Sequence, residues 1–322
     1  MESISSGELK SFKSRFEEME RAIGSSVIGS ERVVRFMLIA MISGNHILLE
    51  GVPGLAKTML ANEFSRSMAL EFKRIQFTPD MLPSDVTGSR VINLETKKME
   101  FRNGPVFTNV LLADEINRTP PKVQSALLES MEERQVSVAG ERHDLPQPFL
   151  VIATQNPIEQ EGTFPLAEAL MDRFLFRYQL RYPTREQELA ILNSRPDSQA
   201  PHTPFLKNED VFNMRKHVDN VHVTQEVRTY IVDIIRKTRE SNEVFMGASP
   251  RTSVKYLRAA RANALISGRD YVIHDDVKFM SYEILNHRLI LKPDVMFSDG
   301  VSEDHLLKRL INTIVTGVEI GG

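Results

Sequence analysis

Residues 46–59 read HILLEGVPGLAKTM, an apolar stretch followed by a loop containing two glycines and the start of a helical pattern. Glycines let backbone N–H groups turn inward around phosphate oxygens, and the N-terminus of the following helix adds partial positive charge. We expect Lys57 to neutralise the β- and γ-phosphates of a nucleotide and Thr58 to bind Mg²⁺. The segment therefore predicts a phosphate-binding loop, or Walker A motif, at residues 51–58.

One position departs from the strict pattern G-x-x-x-x-G-K-[ST], because Ala56 stands where the second glycine is required. The match alone leaves open a turn of glycine and proline that happens to precede a helix, but the flanking strand and helix favour the phosphate loop. The residues predicted to bind nucleotide in this segment are Gly51, Val52, Pro53, Gly54, Leu55, Ala56, Lys57, Thr58 and Met59.

A second motif, NVLLADEINR at residues 109–118, is an apolar strand that ends in two carboxylates. This pattern is typical of a Walker B element. Asp114 would hold Mg²⁺ through its water shell, and Glu115 would orient and deprotonate the attacking water. An Asp-Glu pair can also begin an ordinary loop, but the phosphate loop upstream favours the hydrolytic interpretation.

Three further polar residues are candidates for the catalytic set. Asn156 follows the apolar segment FLVIAT and could place its amide near the γ-phosphate; Arg173 precedes another apolar segment; Arg251 follows Ser249 and Pro250, which predict a helix start. Each also has an ordinary interpretation: a turn-forming Asn-Pro pair, a surface arginine and a solvated arginine of a first helical turn. A cation at a helix N-terminus is slightly unfavourable, and an anionic partner would offset that cost.

The hydrophobic pattern predicts a three-layer α/β domain, with a parallel five-stranded sheet covered by helices on both faces. Ser30 is predicted to cap a helix that runs through Ile42 and ends at Gly44, and another helix is predicted to open at Thr119 and Pro120. Two hairpins interrupt the alternation, at residues 89–107 with a tip at 95–98, and at 135–148 with a turn at 139–140. The predicted strands are residues 47–49, 75–77, 110–113, 149–153 and 174–180, and a further helix is predicted over 59–68.

After Tyr182 the periodicity becomes mostly helical. Thr184 and Gln187 form a capping-box pair, residues 193–210 resemble a connector, and a helix is predicted over 250–266 with Gly268 as its stop. We therefore predict an αβα nucleotide-binding core with an N-terminal helix and the two hairpins, followed by a smaller all-helical domain. The predicted divisions are residues 1–182 for the core, 183–208 for the linker and first helix of the second domain, and 209–322 for the helical domain.

Composition limits the class of protein. A chain of 322 residues favours two domains, and the absence of cysteine excludes disulfides, thiolate zinc sites, iron–sulfur clusters and cysteine nucleophiles. The net charge of −3 gives no argument for general nucleic-acid binding. The longest apolar run falls far short of the ~20 residues that span a bilayer, so no transmembrane segment and a cytoplasmic location are expected.

With these residues identified, the chain resembles the MoxR family of AAA+ ATPases over nearly its whole length. The strongest stretches are GVPGLAKT, LLADEINRTPPKVQSALLESMEERQV, VIATQNPIEQEGTFPLAEALMDRF and GASPRT. The second and third stretches are long and specific. Ala56 fits this family, whose loop commonly reads GLAKT, so its departure from the strict pattern loses force.

The resemblance implies an αβα P-loop domain with a helical lid, working as a ring that is typically hexameric, with ATP between neighbouring subunits. It places sensor 1 at Asn156, an arginine finger acting in trans at Arg173, and sensor 2 acting in cis at Arg251. The segment SVIGS at 26–30 looks like the element beside adenine, with Val27 and Ile28 against the base.

The resemblance also implies a role. The two hairpins look like the helix-2 insert and the pre-sensor-1 hairpin, which commonly face a central pore. The family generally acts as a chaperone-like remodeller, often with partners that carry von Willebrand factor A-type domains. Mg²⁺-dependent ATP hydrolysis that remodels protein complexes or matures metalloenzymes is the leading interpretation.

Two alternatives from other classes stay open. One is a DNA-acting motor: the near-neutral charge argues against it, although Lys97, Lys98 and Arg102 on one hairpin could contact phosphates. The other is a nucleotide-gated binding module with little turnover, which the complete set of carboxylates and arginines disfavours.

Overall fold

The computed structural model describes residues 4–157, 162–193, 204–298 and 300–318. Two segments lie outside the described residues: 158–161, within the stretch QNPIEQEG at 155–162, and 194–203, within the predicted connector at 193–210. The helices are α1 (Ser6–Ser26), α2 (Glu31–Ile42), α3 (Lys57–Arg66), α4 (Pro83–Thr87), α5 (Pro121–Glu133), α6 (Glu168–Met171), α7 (Arg185–Asn193), α8 (Asn208–Val218), α9 (Gln225–Glu240), α10 (Pro250–Ile266), α11 (His274–Leu285), α12 (Pro293–Ser298) and α13 (Glu303–Thr316). The strands are β1 (His46–Glu50), β2 (Phe72–Gln76), β3 (Gly88–Ile92), β4 (Met99–Asn103), β5 (Val110–Asp114), β6 (Gln135–Val138), β7 (Glu141–Asp144), β8 (Leu150–Gln155), β9 (Phe174–Gln179), β10 (Val244–Met246) and β11 (Ile290–Leu291).

A five-stranded parallel sheet in the order β2-β5-β8-β1-β9 forms the centre of the fold, which confirms the predicted fold class. Strands β1, β5 and β8 are almost entirely buried, as continuous apolar runs require. The second strand begins at Phe72 instead of Ile75. Of its residues FKRIQ only Ile75 is buried, because β2 is an edge strand. The polar residues at Lys73 and Arg74 interrupt the hydrophobic pattern, so the sequence did not reveal where the strand begins.

The carboxyl ends of β1, β5 and β8 meet at one edge of this sheet, since the pairings β1–β8 and β5–β8 are parallel. The loop at 51–56 follows β1, Glu115 follows β5 and Asn156 follows β8. In open α/β sheets ligands bind at this edge. The topology therefore gathers three sequence motifs that are far apart along the chain.

Both predicted hairpins are confirmed, as β3–β4 and β6–β7, and the second turns at Ala139 and Gly140, whose φ angles are 52° and 84°. The two hairpins also contact each other. Arg90 of β3 pairs with Glu141 of β7, and the rings of Phe101 and His143 stack with centroids 3.9 Å apart. They therefore form one packed layer.

Most predicted helix boundaries hold to within a few residues, but two predicted caps differ. Ser30 precedes α2, yet its hydroxyl is buried without a hydrogen-bond partner in the described part of the chain. Ser249 precedes α10, and its hydroxyl lies 3.3 Å from the hydroxyl of Thr252 instead of capping a backbone N–H. Thr184 and Gln187 do form the predicted reciprocal pair ahead of α7, at 2.8 and 3.3 Å.

The chain forms two compact units. The first, the core unit, spans 17–174 and 178–212; the second, the C-terminal unit, contains 213–318 together with 4–16 and 175–177, all within the described ranges. The first turns of α1 belong to the C-terminal unit. There Leu9 and Lys13 lie so near Gly268, which follows α10 with a φ of 76°, that a Cβ atom at this position would meet both. The predicted divisions at 182 and 208 stay predictions.

The C-terminal unit is helical, as predicted, but it also contains the antiparallel pair β10–β11. Strands of three and two residues are too short to produce a recognisable alternation in the sequence.

Candidate nucleotide-binding site

The loop between β1 and α3 has the backbone that a phosphate cradle needs. Gly54 and Ala56 adopt φ angles of 89° and 52°, both in the left-handed region. This conformation costs an L-residue such as alanine about 1–2 kcal/mol, so the surrounding structure must fix the turn at Ala56. Strained backbone of this kind is concentrated at ligand sites.

Lys57 begins α3 and points back across the loop, where its ammonium donates a hydrogen bond of 2.7 Å to the carbonyl oxygen of Gly51. Burial lowers the pKa of Lys57 below its ordinary value, while the nearby carboxylates of Asp114 and Glu115 oppose that shift. The cation is thus desolvated and held by one neutral oxygen. A phosphate oxygen would be a stronger acceptor for it.

Asp114, the last residue of β5, is buried and fully engaged. One carboxylate oxygen, Oδ1, accepts the hydroxyl hydrogen of Thr154, and the other, Oδ2, accepts from Nε and Nη2 of Arg74 at 3.1 and 2.7 Å. These contacts fix the direction of the carboxylate.

The donor set fits Mg²⁺. Thr58 lies exposed in the first turn of α3, and Asp114 ends β5 at the same edge of the sheet. The described residues contain no group of three or more His, Asp or Glu side chains that could hold a metal ion by themselves. Mg²⁺ usually binds through one or two protein oxygens together with phosphates and waters, so a hydroxyl and one carboxylate are sufficient.

Glu115 adopts a left-handed backbone conformation with φ 56°, which turns it away from the strand direction. Its N–H donates to the hydroxyl oxygen of Thr154 at 2.9 Å. Its carboxylate oxygen Oε2 accepts from the amide of Gln76 at 2.7 Å and lies 3.0 Å from Nε of Arg118. The two carboxylates are therefore held by different side chains, although Thr154 contacts both residues.

The predicted base-side residues line a cavity of about 480 Å³ in the core unit. Val27 and Ile28 meet Leu55, Ala56 and Met59 there, so the SVIGS segment and the phosphate loop share one pocket. Its size lies within the range of about 300–1,000 Å³ found for ligand sites. The remaining lining residues include Leu180, Pro183, Gln187 and Ile191 from the segment around α7.

The structure places the three remaining candidates differently. Asn156 follows β8 at the same sheet edge as Glu115. Arg173, beside the start of β9, forms an ion pair of 2.7 Å with Glu132 in the last turn of α5. Arg251 lies exposed in the first turn of α10, in the C-terminal unit. Their roles as sensors and arginine finger stay predictions.

Comparison with known proteins agrees with this arrangement. Residues 46–176 match the family described as ATPase family associated with various cellular activities (AAA), and residues 236–310 match the AAA lid domain. The chain is 43% identical to protein YeaC of Bacillus subtilis (strain 168) over 299 residues, covering 92% of this chain and 93% of the relative. It is 41% identical over 308 residues to chaperone MoxR1 of Mycobacterium tuberculosis (strain ATCC 25618 / H37Rv), covering 92% and 81%.

The chain belongs to the MoxR family of AAA+ ATPases. A crystal structure of a protein from Cytophaga hutchinsonii ATCC 33406 superposes on this MoxR-family ATPase with a TM-score of 0.89, at 38% identity and with 98% of each chain covered. The fold and the ATPase assignment from sequence are thereby confirmed. Across the residues described, this ATPase has no helix long and apolar enough to cross a membrane.

Sequence reasoning missed the side chains that hold the carboxylates of this MoxR-family ATPase: Arg74, Gln76, Arg118 and Thr154. One signal was available. Arg74 and Gln76 lie two apart in a strand and so share a face, and Gln76 is the register partner of Asp114. Polar residues on an edge strand are ordinarily solvated, which is why that signal was not decisive.

Proposed function

We propose that this MoxR-family ATPase hydrolyses ATP with Mg²⁺ held by Thr58 and Asp114, and uses the energy to remodel protein complexes or to mature metalloenzymes. The observation that supports this most is the meeting of Lys57, Asp114 and Glu115 at one sheet edge beside a cavity of base-binding size. A cytoplasmic ring, typically hexameric, is part of the proposal.

In the proposed reaction Lys57 exchanges the carbonyl oxygen of Gly51 for phosphate oxygens, which restores a charged partner to a desolvated cation. Mg²⁺, held by Thr58 and Asp114, would supply charge neutralisation on the phosphate oxygens. Glu115 accepts a hydrogen bond from the attacking water and takes its proton, and the contacts from Gln76 and Arg118 fix the direction of its carboxylate. Asn156 would place its amide beside the γ-phosphate and that water.

Arg173 would reach the γ-phosphate of the neighbouring subunit, and Arg251 would contact the nucleotide from the lid of the same subunit. Val27 and Ile28 would pack against adenine inside the cavity. The printed name of one relative, chaperone MoxR1, supports a protein client. The resemblance adds a client or partner with a von Willebrand factor A-type domain. The net charge of −3 makes nucleic acid a less favoured partner.

Replacement of the proposed base tests the reaction. Glu115→Gln keeps the shape but cannot take a proton, so we expect phosphate release to fall by about 10²–10⁴-fold while ATP still binds. The matched control is Glu129→Gln, an exposed glutamate of α5 that should change neither quantity. Steady phosphate release and titration with a fluorescent ATP analogue measure the two effects.

The same variant tests the remodelling role. In the presence of ATP, a pull-down with Glu115→Gln should retain a protein client, whereas the wild type should release that client. Undiminished phosphate release from Glu115→Gln would contradict the assigned base. Retention of DNA fragments instead of protein, together with DNA-stimulated turnover in the wild type, would favour the DNA-acting motor.

A further inference from the structure

Arg74 of edge strand β2 makes contacts that the proposed reaction does not yet use. Its Nε and Nη2 atoms donate to Oδ2 of Asp114 at 3.1 and 2.7 Å, and Nη2 also donates to the amide oxygen of Gln76 at 2.7 Å. One guanidinium thus touches the predicted metal ligand and the residue that holds the predicted base.

These contacts belong to a closed circuit. Gln76 donates from its amide nitrogen to Oε2 of Glu115 at 2.7 Å, and the backbone N–H of Glu115 donates to Thr154. Thr154 in turn donates to Oδ1 of Asp114. A displacement of Arg74 therefore changes the contacts of Asp114 directly, and those of Glu115 through the side-chain amide of Gln76.

Charge explains why Arg74 lies there. Asp114 is 8% exposed, and an ionised carboxylate removed from water is costly unless it is paired and hydrogen-bonded. Arg74 is half-exposed and supplies that pairing at the sheet edge. A guanidinium and a divalent cation held through its water shell repel each other when both lie beside Asp114, so they compete for its carboxylate.

We propose that Arg74 is a positioning residue that occupies Asp114 in the metal-free protein and yields it when Mg²⁺ binds with nucleotide. Because Arg74 also holds Gln76, its displacement changes the hydrogen bond that restrains Glu115, so the base is adjusted only when the metal is present. This inference rests on the proposed Mg²⁺-dependent hydrolysis and adds the means by which metal occupancy reaches the base.

The test compares nucleotide affinity with and without metal. The dissociation constant of a fluorescent ADP analogue, N-methylanthraniloyl-ADP, is measured in EDTA and in Mg²⁺. The constant in EDTA divided by the constant in Mg²⁺ reports the coupling between metal and nucleotide. Arg74→Met removes the competing cation and leaves Asp114 uncompensated without metal. Both effects act in the same direction, and we expect the ratio to rise about tenfold over the wild type.

Two further variants make the result specific. Arg74→Lys retains a positive charge and should keep the ratio near the wild-type value, whereas Lys122→Met removes one exposed charge from α5 and should leave it unchanged. In EDTA without nucleotide, Arg74→Met should unfold at a lower temperature than Lys122→Met, because Asp114 has lost its partner. At saturating Mg-ATP, Arg74→Met should lower kcat severalfold without raising KM.

A ratio for Arg74→Met within twofold of the wild type, in folded protein, would overturn the inference, and so would a fall in the ratio. Should Arg74→Met fail to fold, Arg74→Gln removes the charge, keeps a polar side chain and makes the same comparison. Failure of the proposed function looks different: the wild type itself would then show no effect of Mg²⁺ on nucleotide binding and no hydrolysis.

Discussion

The two ends of the candidate nucleotide site are built on opposite principles. At the phosphate end three charged groups already have partners inside the chain. Lys57 donates to the carbonyl of Gly51, Asp114 accepts from the guanidinium of Arg74, and Glu115 accepts from the amide of Gln76. At the base end Val27 and Ile28 border a cavity of about 480 Å³.

The difference separates rate from affinity. A triphosphate would have to exchange partners with several polar groups, and such exchanges respond to charge developing during the reaction. A base entering the cavity would gain mainly from apolar burial, which is equal in ground and transition states. Changes at the phosphate end should therefore alter turnover as well as binding, whereas changes at the base end should alter nucleotide binding alone.

The largest expected effect at the phosphate end comes from Arg173, if it reaches the neighbouring subunit. Arg173→Ala should reduce turnover by about 10³–10⁵-fold, the range measured for arginine fingers. Mixing Arg173→Ala with Glu115→Gln subunits should restore part of the turnover, since some sites in a mixed ring combine an intact base with an intact finger. Phosphate release from the mixture, at concentrations where rings assemble, is the measurement.

The control for this experiment is Arg21→Ala, an exposed arginine of α1 whose guanidinium contacts only the backbone of Glu17 among the bonds described. It should hydrolyse ATP like the wild type. An inactive mixture in which both variants are shown to share rings would argue that Arg173 serves only its ion pair with Glu132.

A charge introduced at the base end should have a smaller effect, of a different kind. Ile28→Asp places a carboxylate in the cavity wall, where desolvation and the loss of apolar contact should weaken ATP binding by about 10- to 100-fold. Turnover at saturating ATP should change less than threefold. Titration with a fluorescent ATP analogue and the split between KM and kcat measure this.

Leu189→Asp is the matched control, because Leu189 is exposed on α7 and does not line the cavity. It introduces the same charge on the same surface region and should leave ATP binding unchanged. A fall in kcat for Ile28→Asp, with unchanged KM, would break the separation between the two ends.

Sequence predicted the two ends unequally. The parallel strands were found because buried β1, β5 and β8 are continuous apolar runs, and Gly51, Lys57 and Asp114 were found because they follow those runs at fixed offsets. These signals are local. The family resemblance supplied Val27 and Ile28, which no periodicity marks.

What sequence did not show are the partners. Arg74 and Asp114 are 40 positions apart and Gln76 and Glu115 are 39 apart, and only strand pairing brings them together. Arg173, just before β9, and Glu132, in helix α5, are also far apart along the chain and meet only through the tertiary packing. Hydrogen-bond partners depend on which strands become neighbours, and a single sequence does not state the sheet order.

The smallest expected effect is the pH dependence of nucleotide affinity that Lys57 causes. It tests the charge of the phosphate end without changing any side chain. Burial lowers the pKa of this lysine below its ordinary 10.5, whereas phosphates bound beside it would raise the pKa again. As pH rises through the lowered pKa, free protein loses the proton that the complex keeps, so nucleotide affinity should fall by at most about tenfold per pH unit. Titrations of a fluorescent ADP analogue, at pH values between the lowered pKa of Lys57 and 10.5, measure this fall in affinity.

Lys57→Arg provides the control, because a guanidinium stays charged and its affinity should be flat over the same window. The stability of the free wild type should move the opposite way. Its unfolded state binds the lysine proton more tightly, so the free energy of unfolding should increase slightly as pH rises towards 10.5. Loss of affinity together with loss of stability would indicate alkaline unfolding instead, and an equal loss in Lys57→Arg would show that another group governs the pH dependence.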